Sequence, residues 1–317
     1  MPDEVPDQAE IQQLVAAHAD RREQAAQEYP NAGAVARPDA VVLSDLCAGL
    51  EQCRLVTVQG GGQAFHYALW NHPLAINPPP THRQVADVER WVLPGDMVID
   101  IGAHTGDTSV PMGVAVGPNG LCVAFEPNLA AFRVLAVNSA INAHVANICP
   151  SARAIMPDSR TYQFHYSDPQ FCNGGYAEGL TAGVGITGHR HPLEVQGIRL
   201  DEALGQMLRH KLCRWSYLKV DTEGYDAKIL AAHAEMIRQW RPVIVSEVYS
   251  GLREHERRFW WETIHDLGYV PLLDEPVKSY PIYGREASLV NGGLRGMMLD
   301  EVLGATGVLD AVCLPVE

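Results

Sequence analysis

The segment from Val98 to Gly106, Val-Ile-Asp-Ile-Gly-Ala-His-Thr-Gly, constrains the fold of this chain more than any other stretch. It opens with β-branched residues around one aspartate, after the turn signal Leu93-Pro-Gly-Asp96, which predicts a buried parallel strand. Gly102 and Gly106 then allow a tight turn that a ligand can approach closely. A helix over 107–116 would present backbone N–H groups and its positive end to that ligand. The segment therefore predicts a nucleotide-type cofactor site.

Composition excludes several classes of protein. The 317 residues, 47% of them hydrophobic and 20% charged, are enough for one large or two modest domains with a sizeable core. A formal net charge of −14 argues against a nucleic acid or an anionic membrane as partner, because both bind clustered Lys and Arg. The 7 cysteines form no C-x-x-C and are odd in number, which favours reduced thiols. Without a signal segment or a long apolar run, the expected location is the cytoplasm.

The patterns divide the chain into an N-terminal extension (1–82) and a main domain (83–317). The extension contains a polar helix at 10–28, followed by strands at 54–59 and 63–70 that flank three glycines, which indicates a β-hairpin. The helix is compatible with a dimerisation arm in a homodimer, with a lid over the site, or with a solvated appendage.

The main domain alternates strands and helices, which predicts an α/β fold. About seven strands are expected in a mostly parallel sheet with helices on both faces, because repeated β-α units need right-handed crossovers. The strands at 269–273 and 309–314 should form a final antiparallel pair. The other predicted strands are 97–102, 121–126, 146–155, 215–220 and 242–248, and the predicted helices are 83–92, 107–116, 129–142, 202–209, 227–239 and 254–267.

A glycine-rich stretch at 172–191 interrupts the alternation, either as a loop that covers the substrate or as a flexible connection. His189 and His191 form a His-x-His pattern, but no third ligand is evident nearby, which favours a surface loop over a metal site. Three aromatic residues suit stacking on a sugar or ring, although core packing explains them equally well: Trp70, Phe171 and Tyr176.

The glycine turn and the acid that follows it suggest which cofactor binds. Glu126 lies at the end of the next predicted strand, about twenty residues beyond Gly106, where a carboxylate can bind ribose hydroxyls. The turn is not G-x-G-x-x-G, the closer pattern that a pyrophosphate needs. Asp100 at the strand end suits a cationic group better than a diphosphate. S-adenosylmethionine, with its sulfonium and ammonium groups, therefore fits better than NAD.

Carboxylates at two further strand ends are the catalytic candidates. Asp221 and Glu223 follow one strand and Glu247 ends the next, so all three face the rim where open α/β sheets bind ligands. A carboxylate beside others has a raised pKa, which suits a base that takes a proton from a hydroxyl. We rank Asp221 first as base or orienting group, then Glu223 and Glu247, and expect at least one of them to cap a helix or neutralise Lys219. Alternatively, the three hold a divalent ion that acidifies the acceptor.

Three motifs together resemble the FkbM family of S-adenosylmethionine-dependent methyltransferases. The resemblance covers roughly residues 85–275 and implies a class I methyltransferase fold, a Rossmann-like seven-stranded sheet with an antiparallel edge hairpin. It also implies methyl transfer, commonly to a hydroxyl of a sugar or secondary metabolite. The motifs are Val98 to Thr108, Ala124-Phe-Glu-Pro-Asn128 and Leu218 to Asp226, supported by Gly197 to Glu202 and Pro242 to Glu247.

Matched residue by residue, the resemblance assigns a set of cofactor-binding positions. His104 stands where many relatives carry Asn, and either side chain can form hydrogen bonds. Glu126 matches the ribose-binding acid, and Pro127 and Asn128 complete its motif. The cofactor turn matches Asp100, Gly102, Ala103, His104, Thr105 and Gly106.

The sequence thus predicts S-adenosylmethionine-dependent O-methylation of a small molecule or saccharide, as in natural product biosynthesis. An NAD-linked oxidoreductase is disfavoured by the missing G-x-G-x-x-G. A non-catalytic cofactor-fold interaction module is the third hypothesis, against which the intact glycine turn and the rim carboxylates argue. The acceptor itself is not named by the sequence.

Overall fold

A computed structural model describes most of the region from residue 51 onward. The predicted helix at 10–28, the glycines at 60–62, Phe171, His189 and nearly all of the 172–191 stretch lie outside the described residues. The described residues are 9–10, 12–13, 51–59, 63–75, 78–166, 168, 176–177, 191–209, 213–274, 294–305 and 309–316.

Fourteen strands and eight helices are defined in this part of the chain. The strands are β1 (Cys53–Val58), β2 (Phe65–Trp70), β3 (Met97–Ile101), β4 (Leu121–Phe125), β5 (Ile148–Ser151), β6 (Ala154–Ile155), β7 (Thr161–Tyr166), β8 (Tyr176–Ala177), β9 (His191–Ile198), β10 (Trp215–Val220), β11 (Val243–Val248), β12 (Tyr269–Asp274), β13 (Leu294–Gly296) and β14 (Leu309–Pro315). The helices are α1 (His82–Glu89), α2 (Ser109–Val116), α3 (Leu129–Ile141), α4 (Leu200–Arg209), α5 (Asp226–Ala232), α6 (Ala234–Trp240), α7 (Glu254–Asp266) and α8 (Leu299–Gly304).

The central sheet of the described chain has eight strands, in the order β13-β12-β14-β11-β10-β3-β4-β5. The five strands from β11 to β5 are mutually parallel, whereas β12, β13 and β14 pair antiparallel. The predicted mostly parallel sheet is confirmed, but the predicted number of seven strands is wrong. The short strand β13 adds to the edge beside β12, in a polar stretch without a strand pattern.

The central strand β3 shows how the sheet lies between two cores. Successive side chains of a strand point to opposite faces, so Val98 and Ile99 pack into different hydrophobic clusters. All five residues of β3 are buried, as are all five of β4, which explains why these strands appear in the sequence as continuous apolar runs. Because β3, β4, β10 and β11 are parallel, their carboxyl ends meet at one rim of the sheet.

Two predicted elements are each divided in the structure. The helix predicted at 227–239 consists of α5 and α6, which are separated at His233, whose buried ring lies 3.2 Å from the Met156 carbonyl oxygen. The strand predicted at 146–155 splits into β5, in the central sheet, and β6, which pairs with β9 in a second sheet of order β6-β9-β7-β8. Both breaks depend on contacts between distant segments, which local periodicity does not reveal.

The N-terminal hairpin is anchored to α3 by two asparagine side chains. β1 and β2 pair antiparallel from Cys53↔Trp70 to Val58↔Phe65. Asn138 accepts from the Ala68 N–H at 2.6 Å and donates to the Thr105 carbonyl at 2.8 Å. Asn142 accepts from the His66 N–H at 2.8 Å and donates to its carbonyl at 2.7 Å. The amides thus occupy the free edge of β2 as a neighbouring strand would, and Phe65 and Tyr67 join the core.

We expect Asn138→Ala to lower the free energy of unfolding by about 2–3 kcal/mol, because it leaves the buried Ala68 N–H and Thr105 carbonyl without their partner. Urea unfolding of the full chain measures this. The control is Asn147→Ala, which removes one part-buried bond, 3.0 Å long, to the Gly120 carbonyl and should cost about 1 kcal/mol. Equal losses in the two variants would contradict the anchoring role.

Candidate active site

The turn after β3 is closed by backbone hydrogen bonds. The N–H groups of Gly102 and Ala103 both donate to the Phe125 carbonyl at 3.0 Å, and Gly106 donates to the Ala103 carbonyl at 2.8 Å. Gly102 and Gly106 adopt φ of +83° and +92°, and His104 adopts +46°. Three positions within five residues thus have left-handed backbone. Glycine is needed at 102 and 106, where a side chain would also clash with its neighbours.

Gly102 also joins the two predicted groups of site residues. A Cβ placed on Gly102 would lie 1.8 Å from the Asp221 carbonyl oxygen, so the turn after β3 packs directly on the turn after β10. The Asp221 N–H donates to the Ile101 carbonyl at 3.0 Å, which continues the sheet pairing to this point. The predicted cofactor turn and the predicted carboxylates are therefore in contact.

Glu126 connects the two loops of the cofactor region. Its Oε2 accepts from the His104 N–H and its Oε1 from the Asn128 N–H, both at 2.8 Å. Burial raises the pKa of the Glu126 carboxyl, while His104 and these backbone N–H groups act to lower it. Asn128 caps α3 by accepting from the Ala130 N–H at 3.0 Å, and Pro127 lies between the two. The acid thus fixes the turn, and each oxygen retains a lone pair for a ligand.

Asp100 is directed into the protein. Its carboxylate is fully buried and accepts from the hydroxyls of Thr108 and Ser109 at 2.7 and 2.6 Å, which holds the start of α2. The cation beside it is Lys219, whose Nζ lies 3.7 Å from Asp100 Oδ1 and 3.0 Å from Asp221 Oδ2. Contact between Asp100 and a cofactor stays a prediction.

Lys219 is a site residue that sequence reasoning treated only as a charge to be neutralised. Burial opposes its charge, but Asp221 and Asp100 outweigh burial and hold the pKa of the ammonium well above its usual range. The signal was available, since residues 219 and 221 share a face at strand spacing. The register that pairs Lys219 with Asp100 is set by the sheet.

We expect Lys219→Met to lower the free energy of unfolding by about 3 kcal/mol, because Asp100 would be left as an uncompensated buried charge. The control is Arg258→Met, which removes a surface pair with Glu254 whose side chains are 44% and 72% exposed. That loss should stay below about 1 kcal/mol. Chemical denaturation compares the two variants. A Lys219→Met variant as stable as Arg258→Met would contradict a stabilising role for the contacts of Lys219 with Asp100 and Asp221.

The hairpin contributes to the cofactor turn from the other side. The Tyr67 hydroxyl lies 2.9 Å from the Thr105 hydroxyl oxygen. The ring of Trp70, one of the predicted stacking residues, lies 6.0 Å from the His104 ring and 5.1 Å from that of His72. An aromatic cluster thus borders the turn, and apart from His104 its residues, Tyr67, Trp70 and His72, lie outside the three motifs.

The remaining candidate carboxylates differ in electrostatic environment. Burial, together with Asp221 and Asp226, raises the pKa of Glu223 to about 7. Burial and the same neighbours raise the pKa of Glu247 to about 10. Glu223 adopts φ of +53°, a left-handed backbone that the packing of this turn imposes. Glu223 therefore titrates near neutral pH, whereas Glu247 stays protonated.

Asp226 was missed by sequence reasoning. It accepts from the Thr222 N–H at 2.9 Å, the Thr222 hydroxyl at 2.6 Å, and the Ser246 hydroxyl and Glu247 N–H at 3.0 Å each. Burial and Asp221 raise its pKa to about 7, against the effect of these donors. An acid at the start of a predicted helix was the only signal. Asp226 ties the turn after β10 to β11 and so positions Glu223 and Glu247.

Two further predictions concern metals and thiols. Within the described residues there is no group of three His, Cys, Asp or Glu side chains that could hold a metal ion. Asp221 pairs with Lys219 instead.

The described cysteines are all free thiols: Cys53, Cys122, Cys149, Cys213 and Cys313. In the part of the chain that the structure describes, no helix is long and apolar enough to cross a membrane.

A sequence model of the FkbM methyltransferase domain matches residues 100–271, more than half of the chain. This chain belongs to the FkbM methyltransferase family. The matched range begins at Asp100 and includes Glu126, Asp221, Glu223 and Glu247, so the predicted family membership is confirmed. It ends within β12, and the hairpin lies outside it.

The FkbM chain also has similarities among solved structures. A methyltransferase FkbM from Methylobacillus flagellatus shares 12% identity at a TM-score of 0.32, over 50% of this chain and 34% of that one. The chain thus spans about a third of the length of that protein. PH0793 from Pyrococcus horikoshii, provisionally assigned as a transferase, shares 13% identity at a TM-score of 0.35, over 83% of this chain and 72% of that one. No curated protein matches the chain significantly.

Proposed function

We propose that this chain is an S-adenosylmethionine-dependent methyltransferase that methylates a hydroxyl of a small-molecule or saccharide acceptor. The observation that carries the proposal is the contact between Gly102 and the Asp221 carbonyl. It brings the glycine turn, where a nucleotide-type cofactor is expected, against the carboxylates that can act on an acceptor. The FkbM match supports methyl transfer over hydride transfer.

The residues around the turn suit this cofactor. Glu126 is held by two N–H donors and can still accept hydrogen bonds from two ribose hydroxyls. The carboxylates of Asp221 and Glu223 provide negative potential beside the turn, which favours a cationic ligand. When bound, S-adenosylmethionine supplies a methyl group on a positively charged sulfur, which is already an activated leaving group.

The protein's part in the reaction is to align the acceptor and remove its proton. Methyl transfer needs the acceptor oxygen about 3 Å from the methyl carbon, in line with the bond that breaks. We assign the base to Glu223, whose pKa of about 7 leaves much of it ionised at neutral pH yet basic enough to accept a proton. Asp221, first in the sequence ranking, is paired with Lys219 at 3.0 Å and is better suited to orienting that lysine.

Calorimetric titration of the full chain with S-adenosylmethionine tests the proposal. We expect one site per chain and competition by S-adenosylhomocysteine, followed by transfer of labelled methyl groups to members of a panel of hydroxylated small molecules and saccharides. Absence of binding would refute the proposal. Enhanced fluorescence of a reduced nicotinamide cofactor on mixing would favour the oxidoreductase hypothesis instead.

A further inference from the structure

A small pocket opens beside the proposed base, between α5 and α7. Its lining includes Gly224 and Glu247 from the carboxyl rim and Leu252, Phe259 and Trp260 from the α7 side. The pocket has a volume of about 310 Å³, including space open to solvent. A hydroxyl of a ligand can lie beside the buried Glu247 carboxyl while the rest of the molecule lies towards the exposed Phe259 ring.

Glu247 is the polar group in this pocket with unused hydrogen-bonding capacity. Its backbone N–H donates to Asp226 at 3.0 Å, but within the described part of the chain its buried Oε2 has no hydrogen-bond partner. A buried polar atom without a partner is costly, by about 1–3 kcal/mol, so an occupant of the pocket that supplies the bond is favoured. The protonated carboxyl can both donate and accept, which matches a hydroxyl.

The residues that line the pocket disfavour a negatively charged occupant. Leu252 and Trp260 are buried, and the indole N–H of Trp260 is already used on the Ser246 hydroxyl at 2.9 Å. Phe259 at the mouth is 41% exposed, an apolar surface open to contact. Lys228, the cation of the lining, lies over the Tyr225 ring at 4.6 Å. Negative groups nearby, Asp226 among them, disfavour an anionic occupant.

We infer that this pocket is an acceptor subsite, in which Glu247 hydrogen-bonds an uncharged hydroxyl while an apolar face of the same acceptor packs on Phe259 and Leu252. The inference rests on the proposed function. It narrows the acceptor to neutral hydroxylated molecules with an apolar face, and makes Glu247 a specificity residue instead of the base. Gly224 lines the pocket and directly follows Glu223, so an acceptor anchored here is close to the proposed base.

Titration of the full chain with benzyl alcohol and with benzoate, followed by saturation-transfer NMR, tests the subsite. We expect benzyl alcohol to bind about tenfold more tightly than benzoate, because Asp226 and Glu256 in the lining repel a carboxylate and the lining cation, Lys228, already lies over the Tyr225 ring. Glu247→Leu should weaken benzyl alcohol about tenfold, whereas Glu247→Gln, which still donates and accepts, should stay within about threefold.

A variant on the exposed rim covers the case in which a Glu247 variant fails to fold. Phe259→Arg should also weaken benzyl alcohol, whereas Leu55→Arg, at a side chain 53% exposed on the hairpin, should not. Equal binding of the two probes, unchanged binding in Glu247→Leu and Phe259→Arg, or occupation by a water molecule only would overturn the subsite. Calorimetry with S-adenosylmethionine on the same samples separates this from failure of the proposed function, since the probe titration does not require the cofactor.

Discussion

Replacing Gly102 with alanine is expected to abolish cofactor binding and to lower the free energy of unfolding by about 3 kcal/mol or more. The new Cβ would lie 1.8 Å from the Asp221 carbonyl oxygen, which is backbone and cannot rotate away. The φ of +83° adds strain for any L side chain. Relief would require the turns after β3 and β10 to separate, and this separation would dismantle the site that they form together.

Gly117→Ala is the matched control. Gly117 also has a left-handed φ, +73°, but nothing lies within 4 Å of an added Cβ. Its replacement therefore reports backbone strain alone, about 1–3 kcal/mol, and should leave S-adenosylmethionine binding intact. Urea unfolding and calorimetry measure both variants. Similar results for Gly102→Ala and Gly117→Ala would mean that the contact with Asp221 is unimportant.

Glu223→Gln is expected to lower kcat by about 10²–10⁴-fold while leaving the Kd for S-adenosylmethionine within about threefold. The change removes the proposed base and keeps the shape of the side chain. In the wild type, activity should rise with pH through about 7, since only the ionised carboxyl accepts a proton. The rate is measured with an acceptor from the panel that the wild type methylates. Loss of this pH dependence in the variant is the decisive signature.

The raised pKa of Glu223 also predicts how the free energy of unfolding changes with pH. The pKa of Glu223 is raised to about 7 from 4.5, so the folded state holds its proton longer than the unfolded chain does. Its stabilising contribution is therefore complete below pH 4.5 and is lost as the pH rises through 7. Glu223→Gln should flatten this part of the stability profile. Glu235→Gln, on the exposed face of the neighbouring helix, is the control for the stability profile. In the activity measurement, an unchanged kcat in Glu223→Gln would mean that another group is the base.

Asp226 and Lys219 show how closely stability and function are linked at this rim. The Asp226 carboxylate accepts four hydrogen bonds, from Thr222, Ser246 and Glu247. The Lys219 ammonium lies between the carboxylates of Asp100 and Asp221. Neither is suited to be the base, because both Asp226 oxygens already accept hydrogen bonds and the raised pKa of Lys219 keeps its ammonium protonated. They hold Glu223 and Glu247 in an acidic, partly buried environment, and that environment shifts the pKa values of both.

The sequence by itself determined the strand, turn and helix around Val98–Gly106, the mostly parallel sheet, and membership of the FkbM family. These follow from local signals: apolar runs of strand length, glycines at turns, and motifs in a fixed order. The helix at 129–142 was predicted to within one residue, because its apolar face repeats at helical spacing, and the structure adds Asn128 as its cap.

The tertiary structure alone decided how the rim carboxylates divide their roles. Asp221, ranked first from sequence, forms an ion pair with Lys219, whereas Glu223 and Glu247 are left in environments that raise their pKa values. The contact of Gly102 with the Asp221 carbonyl likewise joins segments that are far apart in the chain. Charge pairing and burial depend on which strands become neighbours, and a one-dimensional pattern does not contain that information.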